Sequence, residues 1–139
     1  MNRLKLIISA AVLLLTVTGC EKEEFARYAS YGRIVCSKSA PRVGDTLTLK
    51  VEVLDAGNRI YHADYIWKIN GEYYDEVRVT ARNNAKTITE IPSIKWVPTK
   101  EGTFNISMSA YFKYSMADEY GQMRDGNSAE GSVRVRAKY

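Results

Sequence analysis

Three stretches of this chain alternate polar and apolar residues without an error. They are Thr46-Leu47-Thr48-Leu49-Lys50-Val51-Glu52-Val53, Thr103-Phe104-Asn105-Ile106-Ser107-Met108-Ser109-Ala110 and Ser132-Val133-Arg134-Val135-Arg136-Ala137-Lys138-Tyr139. Successive side chains of a strand point to opposite faces, so a period of two buries one face and wets the other. Nothing after residue 20 keeps an apolar pattern at helical spacing. Turn residues divide the remainder. Pro41-Arg42-Val43-Gly44-Asp45 separates a first strand at 32–37 from the second, and Asp55-Ala56-Gly57-Asn58 ends the second. Asn70-Gly71 is a two-residue hairpin signal, since both central positions of a type I′ turn need positive φ. It predicts pairing of a strand at 63–69 with a short one at 72–74. Further strands are expected at 76–81 and 86–96, the latter confined to an edge or bulge by Pro92. Roughly seven to eight strands at this spacing predict an all-β antiparallel sandwich or barrel.

The first 19 residues break the pattern. Arg3 and Lys5 precede an almost unbroken apolar run from Leu6 to Val17. A membrane-spanning helix needs about 20 apolar residues, whereas a signal-peptide core needs about 7–15. The run ends in Val17-Thr18-Gly19-Cys20, which resembles the lipobox of bacterial lipoproteins, with Val17 where leucine is usual. The resemblance implies cleavage before Cys20 and acylation of its thiol, hence attachment to a membrane through lipid. The division expected is a signal peptide at 1–19, a lipidated tether at 20–31 and one domain at 32–139. Glu21-Lys22-Glu23-Glu24 resembles the surface-export signal of Bacteroidetes lipoproteins, with Lys22, Glu23 and Glu24 as its charged residues. It implies an outer-membrane protein facing outward from the cell.

The formal charge of the 139-residue chain is +4, and it falls to +2 once Arg3 and Lys5 leave with residues 1–19. That balance speaks against nucleic acid as a partner. With Cys20 acylated, Cys36 has no cysteine to pair with and reads as a small buried apolar residue.

Three ordered pieces resemble bacterial immunoglobulin-like domains, including the PKD-like type of surface lipoproteins. They are Pro41-x-Val43-Gly44-Asp45-Thr46-x-Thr48-Leu49, Tyr65-x-Trp67-x-x-Asn70-Gly71, and Trp96-x-Pro98-x-x-x-Gly102-Thr103-Phe104. The resemblance implies an immunoglobulin-like sandwich with Trp67 in its core and Phe104 at the corner usually held by tyrosine. The cysteine pair of antibody domains is lacking. The fold transfers no activity, so function must be sought in a site.

No catalytic constellation emerges. His62, the single histidine, lies at no recognisable nucleophile spacing and reads as a solvated strand residue. Asp125-Gly126-Asn127 lacks the ordered oxygen ligands of a calcium loop, and no metal or cofactor is expected. The segment 114–131 reads as a long connection between the last two strands. Hairpin loops are commonly 2–5 residues, and long loops on rigid sandwiches often carry binding. Its Tyr114, Asp118, Glu119, Tyr120 and Asp125, together with Tyr73 and Tyr74, are the candidate binding residues, with Tyr111 a further tyrosine that could join them. Arg134, Arg136 and Lys138 form a basic row that reads as a wet strand face. Asp45-Thr46-Leu47 resembles the short O-glycosylation site of Bacteroidetes exported proteins, which would put the sugar on Thr46.

The expectation is therefore a noncatalytic, lipid-anchored envelope module for binding or assembly, with an unidentified protein or glycan partner. The alternatives are a glycan-binding accessory of polysaccharide uptake and a hydrolase inhibitor using 114–131 as a plug. Replacing Cys20 by alanine is expected to abolish incorporation of radiolabelled palmitate and to move the protein from the detergent phase to the aqueous phase on Triton X-114 partition.

Overall fold

In the computed structural model, residues 27–82, 87–116, 119–120 and 124–139 are described, with the backbone alone at 115–116, 119–120 and 124–126. They form eight strands and no helix: β1 Ser30–Cys36, β2 Leu47–Asp55, β3 Ile60–Ile69, β4 Glu72–Thr80, β5 Ser93–Trp96, β6 Gly102–Met116, β7 Glu119–Tyr120 and β8 Arg124–Val135. The alternation behaves as the physics requires. Leu47, Leu49 and Val51 of β2 turn inward while Lys50 and Glu52 face water. Ala63, Tyr65 and Trp67 of β3 meet Ile106, Met108, Ala110 and Phe112 of β6 in one core, with Trp67 fully buried.

The hydrogen-bonded path runs β4-β3-β6-β8-β1-β2-β5, with β7 folded back on β6. All pairings are antiparallel except that of β1 with β8, a single parallel contact of Arg33 with Glu130. β1 pairs with β2 from Ser30 to Cys36, with irregular steps between Ser30 and Ile34, and bridges β8 at Arg33 within the second of these steps. The path thereby turns back over itself into two faces. Trp96 of β5 packs edge-on against Phe104 of β6, ring centroids 5.1 Å apart. At the two ends of the path, the Tyr74 hydroxyl donates to the Lys95 carbonyl at 3.1 Å. The result is an all-β sandwich.

Several boundaries differ from expectation. Residues 27–31 are built into the domain rather than the tether. Arg27 exchanges backbone hydrogen bonds with Asn58 and holds both Asp55 oxygens at 3.0 Å, and Ala29 is buried. The expected strands 72–74 and 76–81 are one strand. Lys68 faces Tyr73 and Trp67 faces Asp75, leaving Tyr74 as the extra residue of a β-bulge. Strand 86–96 is reduced to Ser93–Trp96, because Pro92 has no N–H to give and uses only its carbonyl, accepting from Val51.

The largest difference is at 114–131. β6 extends to Met116 and β8 begins at Arg124, with Phe112 facing Arg124 and Tyr111 facing Asp125. What reads as a long loop is mostly a paired hairpin. At the C-terminus, pairing with β6 ends at Val135, and Arg136 bridges in parallel to Arg42.

The β1–β8 contact depends on a glycine. A Cβ on Gly131 would lie 2.7 Å from the Ile34 carbonyl oxygen and 3.0 Å from its Cβ. Gly131→Ala must push β1 away from β8. We expect it to lower unfolding free energy by about 1–3 kcal/mol, the ordinary cost of overpacking, as a shift in urea midpoint at unchanged slope.

Candidate functional site

The sandwich has two distinct ends. At one lie the Asn70-Gly71 turn, the 37–46 connection, the segment after Trp96 and the C-terminus. Here Asn70 has φ 51° and Gly71 φ 80°, both positive as a type I′ turn needs. At the other end lie Arg27, where the described chain begins, the 56–59 turn and the tip of the β6–β8 hairpin.

This geometry separates the candidate tyrosines. Tyr73 and Tyr74 sit beside the Asn70-Gly71 turn, 64% and 40% exposed. Tyr114 faces Ile60 at the opposite end of β3 and is buried to 8%, its ring edge-on to Tyr28 at 5.7 Å. The eight steps from Ile60 to Lys68 span about 26 Å at strand rise. The tyrosines therefore form no common row, and Tyr114 is a core residue rather than a binding one. Tyr111 lies half-buried between them.

Glu119 and Tyr120 form β7 and Asp125 lies in β8, with only the backbone described. Cys20, Lys22, Glu23, Glu24 and Asp118 lie outside the described residues. Thr46 is exposed. The carboxylate of its neighbour Asp45 accepts from the Arg42 N–H at 2.9 Å and pairs with Lys38 at 3.5 Å. The hydrogen bond from that backbone N–H, with Lys38 and Arg42 nearby, holds Asp45 below the usual carboxylate range. Cys36 is half-buried against the core.

His62 is not the solvated residue expected. Only 20% of its side chain is exposed, and both ring nitrogens are engaged. Nδ1 lies 2.9 Å from the Thr80 hydroxyl and Nε2 2.9 Å from Asp64 Oδ1. Arg78 approaches the same Asp64 oxygen at 3.7 Å and Glu76 at 3.6 Å. Thr80, Arg78 and Glu76 come from β4, so the spacing around His62 carried no sign of them. The row has a hydroxyl, an imidazole and a carboxylate in the order of a catalytic triad. It lies across two adjacent strands and cross-links them.

A cleft of about 50 Å³ opens between the two faces near Arg27, lined by Tyr31, Val53, Ile60, Tyr65, Glu90 and Pro92 among others. The Tyr31 and Tyr65 hydroxyls are hydrogen-bonded to each other. Burial, reinforced by Tyr65, pushes the Tyr31 pKa far up; burial also raises Tyr65, with Glu90 adding to the rise and the Tyr31 hydrogen bond opposing it. A group whose folded pKa is raised stabilises the fold fully below its unfolded value. That contribution is lost as pH climbs beyond about 10, the ordinary tyrosine value. Stability is accordingly expected to fall above that pH, and Tyr31→Phe to flatten the fall, in urea melts taken between neutral pH and pH 11.

No family model matches the chain, and no curated protein matches it. Among solved structures it is similar to a CARDB domain from Pyrococcus furiosus, crystallised in complex with di-metal ions. The TM-score is 0.56 at 17% identity, covering 84% of this chain and 100% of that one. A solution structure of the same archaeal domain gives 0.49 at 18% identity, covering 82% and 98%. The di-metal ions belong to the archaeal protein; among the described residues here, no three His, Cys, Asp or Glu side chains form a group that could hold a metal. The likeness concerns fold, and with the strand order above it makes this chain an immunoglobulin-like β-sandwich.

Proposed function

We propose that this chain is a noncatalytic, lipid-anchored module of the cell envelope that binds or assembles with a partner outside the outer membrane. One observation supports this reading above others. The described chain begins at Arg27, at the end of the sandwich opposite the Asn70-Gly71 turn, and Tyr73 and Tyr74 stand exposed beside that turn. A domain tethered through Cys20, a few residues before Arg27, holds the tyrosine end away from the membrane. Exposed tyrosines offer apolar area with a polar tip, which suits both protein and sugar partners. Anchor, export signal and the PKD-like resemblance together favour a Bacteroidetes-type surface lipoprotein.

A glycan-binding accessory is the second reading, and the adjacency of Tyr73 and Tyr74 at the bulge favours it. It rests on those two residues, since Tyr114 is buried.

Protease shaving of intact cells tests the placement. Wild-type protein is expected to be lost to protease, and a Glu23→Ala, Glu24→Ala variant to be retained. Protection of both would place the domain inside and remove external partners from consideration.

A further inference from the structure

One edge of β8 pairs with β6. The other meets β1 at the Arg33–Glu130 contact and, six residues on, meets residues 41–43 at Arg136. Between these points no further bridge forms among the described residues, although Ile34 of β1 still lies close to Gly131. Two observations give the direction of the backbone groups there. Asn70 N–H donates to the Asn105 carbonyl at 2.8 Å, so Asn105 turns its main chain toward the β3–β4 turn. Ser132, opposite Asn105, is then in a pair without mutual hydrogen bonds and turns its own N–H and C=O away from β6. Independently, Arg136 N–H donates to the Pro41 carbonyl and its carbonyl accepts from Val43, both at 2.9 Å. By the period of two, Arg134 faces the same way as Arg136 and Ser132.

The N–H and C=O of Ser132 and Arg134 thus point into a groove of about 580 Å³ between β8 and the departing β1. That lies within the range of about 300–1,000 Å³ typical of ligand sites. Arg33, Lys38 and Arg134 line it. Among the described residues neither Arg33 nor Arg134 makes an ion pair, and Lys38, half exposed, has Asp45 at 3.5 Å. Glu130 is the acid at the upper end, beside Arg33.

We propose that this groove takes up an extended acidic segment of a partner protein as an added strand along residues 132–134, its carboxylates meeting Arg33, Lys38 and Arg134. Donors and acceptors alternating at strand spacing match another main chain, which is how exposed edges recruit peptides. The three cations select the sign of its side chains. From Glu130 to Arg136 the gap is about 20 Å, room for about five extended residues. The surface lies apart from Tyr73 and Tyr74, and it requires neither the anchor nor surface display.

The test is fluorescence polarisation with the full-length lipidated protein in detergent. The probe is a fluorescein-labelled hexapeptide alternating aspartate and valine, compared with its lysine–valine counterpart and its fully N-methylated form. Saturable binding is expected for the acidic peptide alone. An Arg134→Glu variant, at an exposed position outside every ion pair among the described residues, should melt at an unchanged temperature. It should bind the acidic peptide about tenfold more weakly or worse and gain affinity for the lysine peptide. Absence of saturable binding, equal binding of the N-methylated or lysine peptide to wild type, or unchanged binding by the variant would each overturn the proposal.

Discussion

The sandwich depends on one strand belonging to two faces. β1 pairs with β2 on both sides of its irregular step at Gly32-Arg33, and at Arg33 it bridges β8. Without that bridge the hydrogen-bonded path would end at β8, and no strand pairing would join β1, β2 and β5 to the other face. Gly131 permits the close approach, because any side chain there would collide with Ile34. The step also has a consequence on the outside. A strand that leaves its neighbour early exposes that neighbour's edge, so the device that closes the core also opens the groove beside Ser132 and Arg134.

Around this join the core is apolar and continuous. Among the described residues none that is buried is charged, and the largest fully buried side chain is Trp67. Polar chemistry is kept to the periphery, where it cross-links neighbours. Arg27 and Asp55 fasten the start of the domain to the end of β2. Thr80, His62, Asp64 and Arg78 tie β4 to β3. The pair Tyr31 and Tyr65 joins the two faces through hydroxyls inside the cleft that Glu90 also lines. These links place the ends of the sandwich in different chemical settings. The end at Arg27 is packed with aromatic rings, Tyr28, Phe112 and Tyr114 among them. The opposite end carries the turn and the exposed tyrosines.

Much of the architecture was legible in the residue order because it is written locally. Alternation marked β2, β6 and the end of β8, and Asn70-Gly71 marked its turn with both residues at positive φ. The resemblance to immunoglobulin-like domains implied Trp67 as core, and it is fully buried. What escaped was written in partners distant along the chain. Asp125, Gly126 and Asn127 have poor strand propensity, yet Asp125 pairs with Tyr111 and Gly126-Asn127 form the irregular step of β8 before Ser128. The bulge at Tyr74 depends on the register with Lys68. Tyr114 looks like a surface aromatic until Tyr28, from a segment expected to be tether, packs over it. The groove left no trace either, since it consists of main-chain groups that every residue carries. Only the basic residues at 134 and 136 hinted at it, and they read equally well as a wet strand face.

Native-state amide hydrogen exchange, followed residue by residue on the free protein, tests the early departure of β1 most directly. Val133 and Val135, bonded to β6, should exchange slowly, while Ser132 and Arg134, which alternate with them, should exchange far faster along β8. Uniform protection from Gly131 to Val135 would mean that a strand covers this edge, and would contradict the account of how the two faces are joined.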